Sequence, residues 1–172
     1  MVSIKHWIFI ALTVLLFSGC KVNYSFTGAS VSPDVKTLSI ATFPASRTPL
    51  APPSLGQTFT EALKDRFLRQ TSLTLVKNNG DLMIEGEIVG YTQTDEAATG
   101  ANASISSLSR LTIQVKVKYI DTKNEENRYE QTFSQFEQFD ASQTLSSVED
   151  DLIDAINEKL TQDIFNRSLG NW

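Results

Sequence analysis

The stretch from Leu108 to Ile120 limits the possible folds more than any other. Leu111, Ile113, Val115, Val117 and Tyr119 alternate there with Thr112, Gln114, Lys116 and Lys118. Successive side chains of a strand point to opposite faces, so one face here is apolar and the other polar. That pattern suits an antiparallel sheet with one wet face. Parallel sheets covered on both sides need near-continuous apolar runs instead. Another layer of the chain must therefore cover the apolar face.

Two segments have the period to do so. Leu55, Phe59, Ala62, Leu63 and Phe67 recur at helical spacing and predict a helix over Leu55–Gln70. Ser54 and Gln57 match a capping box at its start. A second helix is expected from about Ser146, where Ser146 and Glu149 repeat the capping-box pattern. Val148, Leu152, Ala155, Ile156, Leu160 and Ile164 form its apolar face. Glu149, Asp150, Asp151 and Asp154 fall early in it and Arg167 late, which suits the helix dipole.

The remaining strands are shorter or less regular. Val35–Phe43 reads as a first strand, and the prolines of Pro44–Pro53 make a stiff, non-helical connection after it. Leu73–Val76 is a short strand, stopped by the turn Asn78-Asn79-Gly80-Asp81. Leu82–Gln93 follows, with Gly86 and Gly90 in register with Leu82, Ile84 and Ile88. That register leaves room for close packing, for which a helix is the simplest occupant. Thr94–Ser107 is a small, polar loop. Arg128–Gln138 is a hairpin partner for the central strand, with Tyr129 and Phe133 on one face. Phe133, Phe136 and Phe139 fit core and hairpin packing better than a ligand site. The expected architecture is an α+β two-layer sandwich. Two amphipathic helices pack on one face of a mostly antiparallel, four- to five-stranded sheet, in the order β-α-β-β-β-β-α.

The start of the chain has a different character. A short basic lead with Lys5 precedes the apolar run Trp7–Phe17, and Ser18-Gly19 then precede Cys20. The run is too short to span a bilayer, which takes about 20 apolar residues, and suits a signal-peptide core. The expected organisation is a cleaved lipoprotein signal over residues 1–19, a lipidated tether over 20–33 and one α+β domain over 34–172. Cys20 is the lipidation site, since a thiolate is the nucleophile that takes up the diacylglycerol. The chain holds one cysteine, Cys20, and one histidine, His6. Once residues 1–19 are removed, no imidazole and no second thiol remain. An internal disulfide, Ser-His or Cys-His catalysis and His-ligated zinc are then excluded. No catalytic residue, cofactor or metal site is assigned.

Charge points the same way. Fifteen Lys and Arg face twenty Asp and Glu, a net charge of −5, which argues against nucleic acid as a partner. Glu85 and Glu87 share a strand face and read as solvated carboxylates rather than an acid–base pair. Arg110, Lys116 and Lys118 are expected to line a basic stripe on the polar sheet face. Such a stripe serves solubility and edge protection, or else contact with anionic lipid phosphates.

Several stretches resemble the LptE family of lipopolysaccharide-assembly lipoproteins. They are Tyr24–Ile40, Gln57–Phe67, Leu73–Val76, Asp81–Tyr91, Arg110–Tyr119 and Phe139–Leu160. The match rests on order and pattern rather than on one motif. The resemblance implies a non-enzymatic lipoprotein on the periplasmic face of the outer membrane. It would plug and help assemble the LptD β-barrel, which inserts lipopolysaccharide into the outer leaflet. The membrane is reached through the lipid anchor, and Lys21 in place of Asp after the cysteine fits onward export. The family's basic lipopolysaccharide contacts cannot be carried over position by position. Arg110, Lys116 and Lys118 are proposed from strand geometry alone. The alternatives are a scaffold or pilotin-like accessory of another envelope complex, or a carboxylate-only, lipid-anchored hydrolase.

Overall fold

The computed structural model describes residues 31–96 and 108–170. The elements are β1 (Thr37–Ile40), α1 (Leu55–Gln70), β2 (Thr74–Leu75), β3 (Leu82–Glu96), β4 (Leu108–Asp121), β5 (Tyr129–Asp140) and α2 (Leu145–Leu169). This is the β-α-β-β-β-β-α order read from the sequence. The sheet order is β2-β1-β3-β4-β5. β1 runs parallel to β2 and to β3, whereas β3, β4 and β5 form an antiparallel meander. Both helices cover the same face. Leu55, Phe59, Leu63 and Phe67 of α1 and Ile156, Leu160 and Ile164 of α2 share one core with Leu111–Tyr119 of β4. Full burial of each such side chain stabilises by about 1.5–3 kcal/mol.

Strand bounds differ from the sequence reading in physically simple ways. β1 is shorter than Val35–Phe43, because the chain leaves the sheet before Phe43. β3 continues past Gln93 to Glu96, where it pairs with Leu108, so the expected loop loses its first residues to the sheet. Residues 97–107 lie outside the described residues. At the start of the domain, Val35 is buried and Val31 packs on the core.

The two glycines of β3 have separate roles. Pairing shifts between Ile88 and Gly90, a β-bulge that turns the following residues over. Gly90 therefore lies opposite Gln114 on the polar face, and Tyr91 lies opposite Ile113 in the core. The expectation that Gly90 shares a face with Ile88 is corrected by that one extra residue. Gly86 does make room, but for Phe43 rather than for a helix. A Cβ at Gly86 would strike the Phe43 ring and the Lys116 carbonyl, and one at Gly56 would strike the Phe43 carbonyl. Phe43 is fully buried and meets Phe59 edge-on at 5.1 Å. Its N–H donates to Thr60 Oγ1 at 3.0 Å, and the next carbonyl, of Pro44, accepts from Ile88 N at 2.9 Å. One aromatic residue thus joins α1, the connection after β1 and the bulge of β3.

Neither capping box forms. Ser54 already has helical φ and ψ of −76° and −18°, and its side chain makes no cap bond. Gln57 donates instead to Glu61 on its own helix, at 2.9 Å. The residue preceding α2 is Thr144, and Ser146 lies inside the helix. Glu149 accepts a short hydrogen bond from the Tyr91 hydroxyl, tying α2 to β3. No acidic residue occupies the first turn of α2, so dipole matching is weaker than the sequence suggests.

Asp81 is the polar anchor of the sheet. Its carboxylate accepts from the Lys36 and Thr37 backbone N–H groups, each at 3.0 Å, and from the Thr37 hydroxyl at 2.8 Å. Lys123 lies 3.3 Å away. The Lys36 N–H first, then the Thr37 donors, hold the Asp81 carboxyl well below the usual carboxylate range. A depressed folded-state pKa stabilises fully above the ordinary value of 3.8. That stabilisation is lost as pH falls through the folded value. Acid titration of stability should show a decline below pH 3.8 that Asp81→Asn flattens. An unchanged acid limb in the variant would remove this role.

Candidate functional site

The face of β3, β4 and β5 turned away from the helices carries the residues singled out for binding. Its register forms cross-strand rows. Glu85, Lys118 and Glu130 make one row, and Glu87, Lys116 and Thr132 the next. Thr94, Arg110 and Gln138 make a third, further along β4. Strand alternation thus brings Arg110, Lys116 and Lys118 to a single face.

The three cations do not form an uninterrupted stripe. Arg110 is six residues from Lys116, about 20 Å along a strand. Thr112 and Gln114 stand between them. Lys116 Nζ lies 2.6 Å from Glu130, and Lys118 Nζ lies 3.7 Å from Glu85. Arg47, from the connection after β1, reaches Glu87 at 3.2 Å. The hydrogen bond and charge of Glu130 push the Lys116 ammonium pKa up, and Lys116 in turn lowers that of Glu130. The result is a ladder of alternating charge. Its lysine side chains are about half exposed, at 47% and 52%. Exposed pairs of this kind contribute little to stability and exchange partners easily. A phosphate could take a lysine from its glutamate with small loss to the fold.

Arg110 sits differently. Its guanidinium lies 4.0 Å over the Phe136 ring, a cation–π contact made on the polar face. Phe136 is 41% exposed and is the residue of the three phenylalanines that core packing does not explain. Phe133 and Phe139 point into the core, at 7% and 6% exposure. Alternation along β5 separates them, and that signal was available in the sequence. Arg47 was missed because a residue in a proline-rich connection has no period to place it.

Glu85 and Glu87, read as solvated carboxylates, are the partners of Lys118 and Arg47. Among the described residues no cluster of three or more His, Cys, Asp or Glu could hold a metal ion. No described helix is long and apolar enough to cross a membrane. Cys20 and the lead before it lie outside the described residues.

Comparison with known proteins places this geometry. The family model for lipopolysaccharide assembly, LptE, matches residues 35–168, from the approach to β1 to the end of α2. No curated protein matches. Among solved structures, a Helicobacter pylori homolog of a neuraminyllactose-binding hemagglutinin is similar at TM-score 0.52 and 9% identity. The match covers 84% of this chain and 88% of that one. A Xanthomonas campestris protein is similar at TM-score 0.51 and 12% identity, over 82% and 90% of the two chains. Lipoprotein B of Nitrosomonas europaea gives TM-score 0.49 at 16% identity, over 86% and 88%. At such identities the likeness shows the fold alone.

Proposed function

We propose, from the premise that the chain belongs to the LptE lipopolysaccharide-assembly family, that it is a non-enzymatic outer-membrane lipoprotein serving as plug and assembly partner of an LptD β-barrel. The observation that carries this reading is the family match across the whole two-layer domain. The bare, charge-laddered sheet face agrees with it. Residues 1–19 act as the signal, Cys20 takes the lipid, residues 20–33 tether and 34–172 form the domain, on the periplasmic face. More than one acyl chain on Cys20 gives stable anchoring where a single chain would not. The domain fills space in the barrel lumen, and the exchangeable lysines with Arg110 meet lipopolysaccharide phosphates.

Mild detergent extraction should co-purify an LptD-type barrel with the chain, and depletion should lower surface lipopolysaccharide. A barrel that assembles normally without this protein would overturn the reading.

The binding face has its own test. Lys116→Glu with Lys118→Glu should weaken lipopolysaccharide binding about tenfold at low salt, as loss of two charge-assisted contacts to phosphate would. Surface-immobilised lipopolysaccharide would report it. Unchanged affinity would remove the lysines from the site.

A further inference from the structure

The sheet has two outer strands, and they are unlike. β2 is two residues long. β5 is twelve residues long and, among the described residues, pairs with β4 alone. Outer strands are usually guarded against further pairing by shortness, proline, lysine or a bulge. β2 has the first of these. β5 has none of them: it holds no proline, lysine or arginine, and its register with β4 is unbroken.

The register also says which peptide groups of β5 face outward. Thr122, next after β4, donates its N–H to the Asp81 carbonyl at 2.9 Å, so its backbone points toward β3. Along an antiparallel strand, successive residues turn their backbone groups alternately to the two neighbours. Tyr119, Val117, Val115 and Ile113 of β4 therefore bond to Tyr129, Gln131, Phe133 and Gln135 opposite them. Glu130, Thr132, Ser134 and Phe136 turn their N–H and C=O groups to the outer edge. The Phe136 carbonyl agrees, since Lys159 Nζ reaches it from α2 at 3.4 Å. All four residues are exposed. Their donors and acceptors stand in a row at the spacing an added strand needs.

The side chains select the occupant. Glu130, Glu137 and Asp140 are the charged residues of β5, and all are acidic. A second β5 brings no cation to them in any register, so self-pairing gains no cross-strand ion pair. A basic strand does gain them. Glu130 and Glu137 are held by half-exposed lysines, Lys116 at 2.6 Å and Lys159 at 2.7 Å, and such pairs exchange partners at little cost. Phe136, exposed on the outward face, offers an apolar contact to a residue placed opposite it.

We propose that the outer edge of β5 receives an extended, basic segment of a partner protein as a further strand of the sheet. Its backbone pairs with Glu130, Thr132, Ser134 and Phe136, and its cations lie beside Glu130 and Glu137. The backbone edge makes this contact rather than the charged face, so strand docking and lipopolysaccharide binding can be lost separately.

The test is NMR amide exchange on the full chain in detergent, with the peptide acetyl-Lys-Val-Thr-Val-Thr-Val-Thr-Lys amide. Its lysines are spaced as Glu130 and Glu137 are. Without peptide, the amides of Thr132, Ser134 and Phe136 should exchange fast and those of Gln131, Phe133 and Gln135 slowly. Peptide should slow the first set saturably, with a dissociation constant on the order of 0.1 mM, modest for one short added strand. Ser134→Pro removes an edge-facing N–H without breaking a bond to β4 and should abolish the slowing. Ser134→Lys should weaken binding about tenfold, as should glutamate in place of both peptide lysines. Edge amides that are protected before peptide is added, or that peptide does not slow, would overturn the proposal. So would equal slowing by the glutamate peptide, full affinity in both variants, or sedimentation showing that the chain dimerises through this edge instead. If Ser134→Pro does not fold, Ser134→Lys and the glutamate peptide still decide it.

Discussion

Phe43→Ala should lower the unfolding free energy by about 3–5 kcal/mol, the usual cost of emptying a fully buried phenylalanine site. A domain of this size is stable by about 5–15 kcal/mol, so the variant should lie close to unfolding. The ring is 0% exposed and lies between Phe59 and Gly86. Its removal leaves a cavity with backbone on two sides, which collapses poorly. The described domain contains no cysteine, so no cross-link limits the unfolded state. Phe43 also fixes the connection that carries Arg47, so the Arg47–Glu87 pair should loosen with it. The check is urea unfolding, where the midpoint should fall with an unchanged slope. Phe43→Leu should cost clearly less than Phe43→Ala, since it leaves more of the buried volume filled. A Phe43→Ala midpoint equal to wild type would show that the ring does not join the layers.

Gly80→Ala should cost about 3 kcal/mol, at the upper end for an overpacked site. The added Cβ would lie 2.6 Å from Ser39 N, 2.7 Å from Leu82 O and 2.8 Å from Leu38 C. All three are backbone atoms of β1 and β3, so no side chain can rotate away. The strands must separate, and the Asp81 anchor beside them with them. Gly90→Ala is the internal control. Its nearest neighbours belong to the exposed Gln114 side chain, whose Oε1 at 2.7 Å can swing away while its Cβ at 3.0 Å must give by a few tenths of an ångström. It should cost under about 1 kcal/mol. In a domain of roughly 150 residues each kcal/mol moves Tm by about 2–4 °C. Gly80→Ala should thus melt about 6–12 °C early, and Gly90→Ala near wild type. Equal melting of the two would contradict the turn described here.

Much of the fold was legible in residue period. The alternation of Leu111 to Tyr119 placed β4 and its buried face, and helical spacing placed α1 over Leu55–Gln70. The caps were not legible, because Ser54 and Gln57 have the right types at the right spacing, but Ser54 enters the helix already in helical geometry. The bulge at Val89 was not legible either. One unpaired residue reverses a face without altering composition, and Gly90 and Tyr91 exchanged roles with it. For the sheet face, alternation grouped Arg110, Lys116 and Lys118 correctly but said nothing of Glu130 or Glu85, which come from neighbouring strands.

The two-sidedness of the meander has a consequence for how such chains diverge. Among the described side chains, the outward residues of β3, β4 and β5 such as Glu85, Lys116, Lys118 and Glu130 meet water or one another, while the inward set holds the helices. The outward alphabet can therefore be rewritten nearly freely without a compensating change in the core. Sequence change confined to that face leaves the core, and with it the shape of the domain, in place.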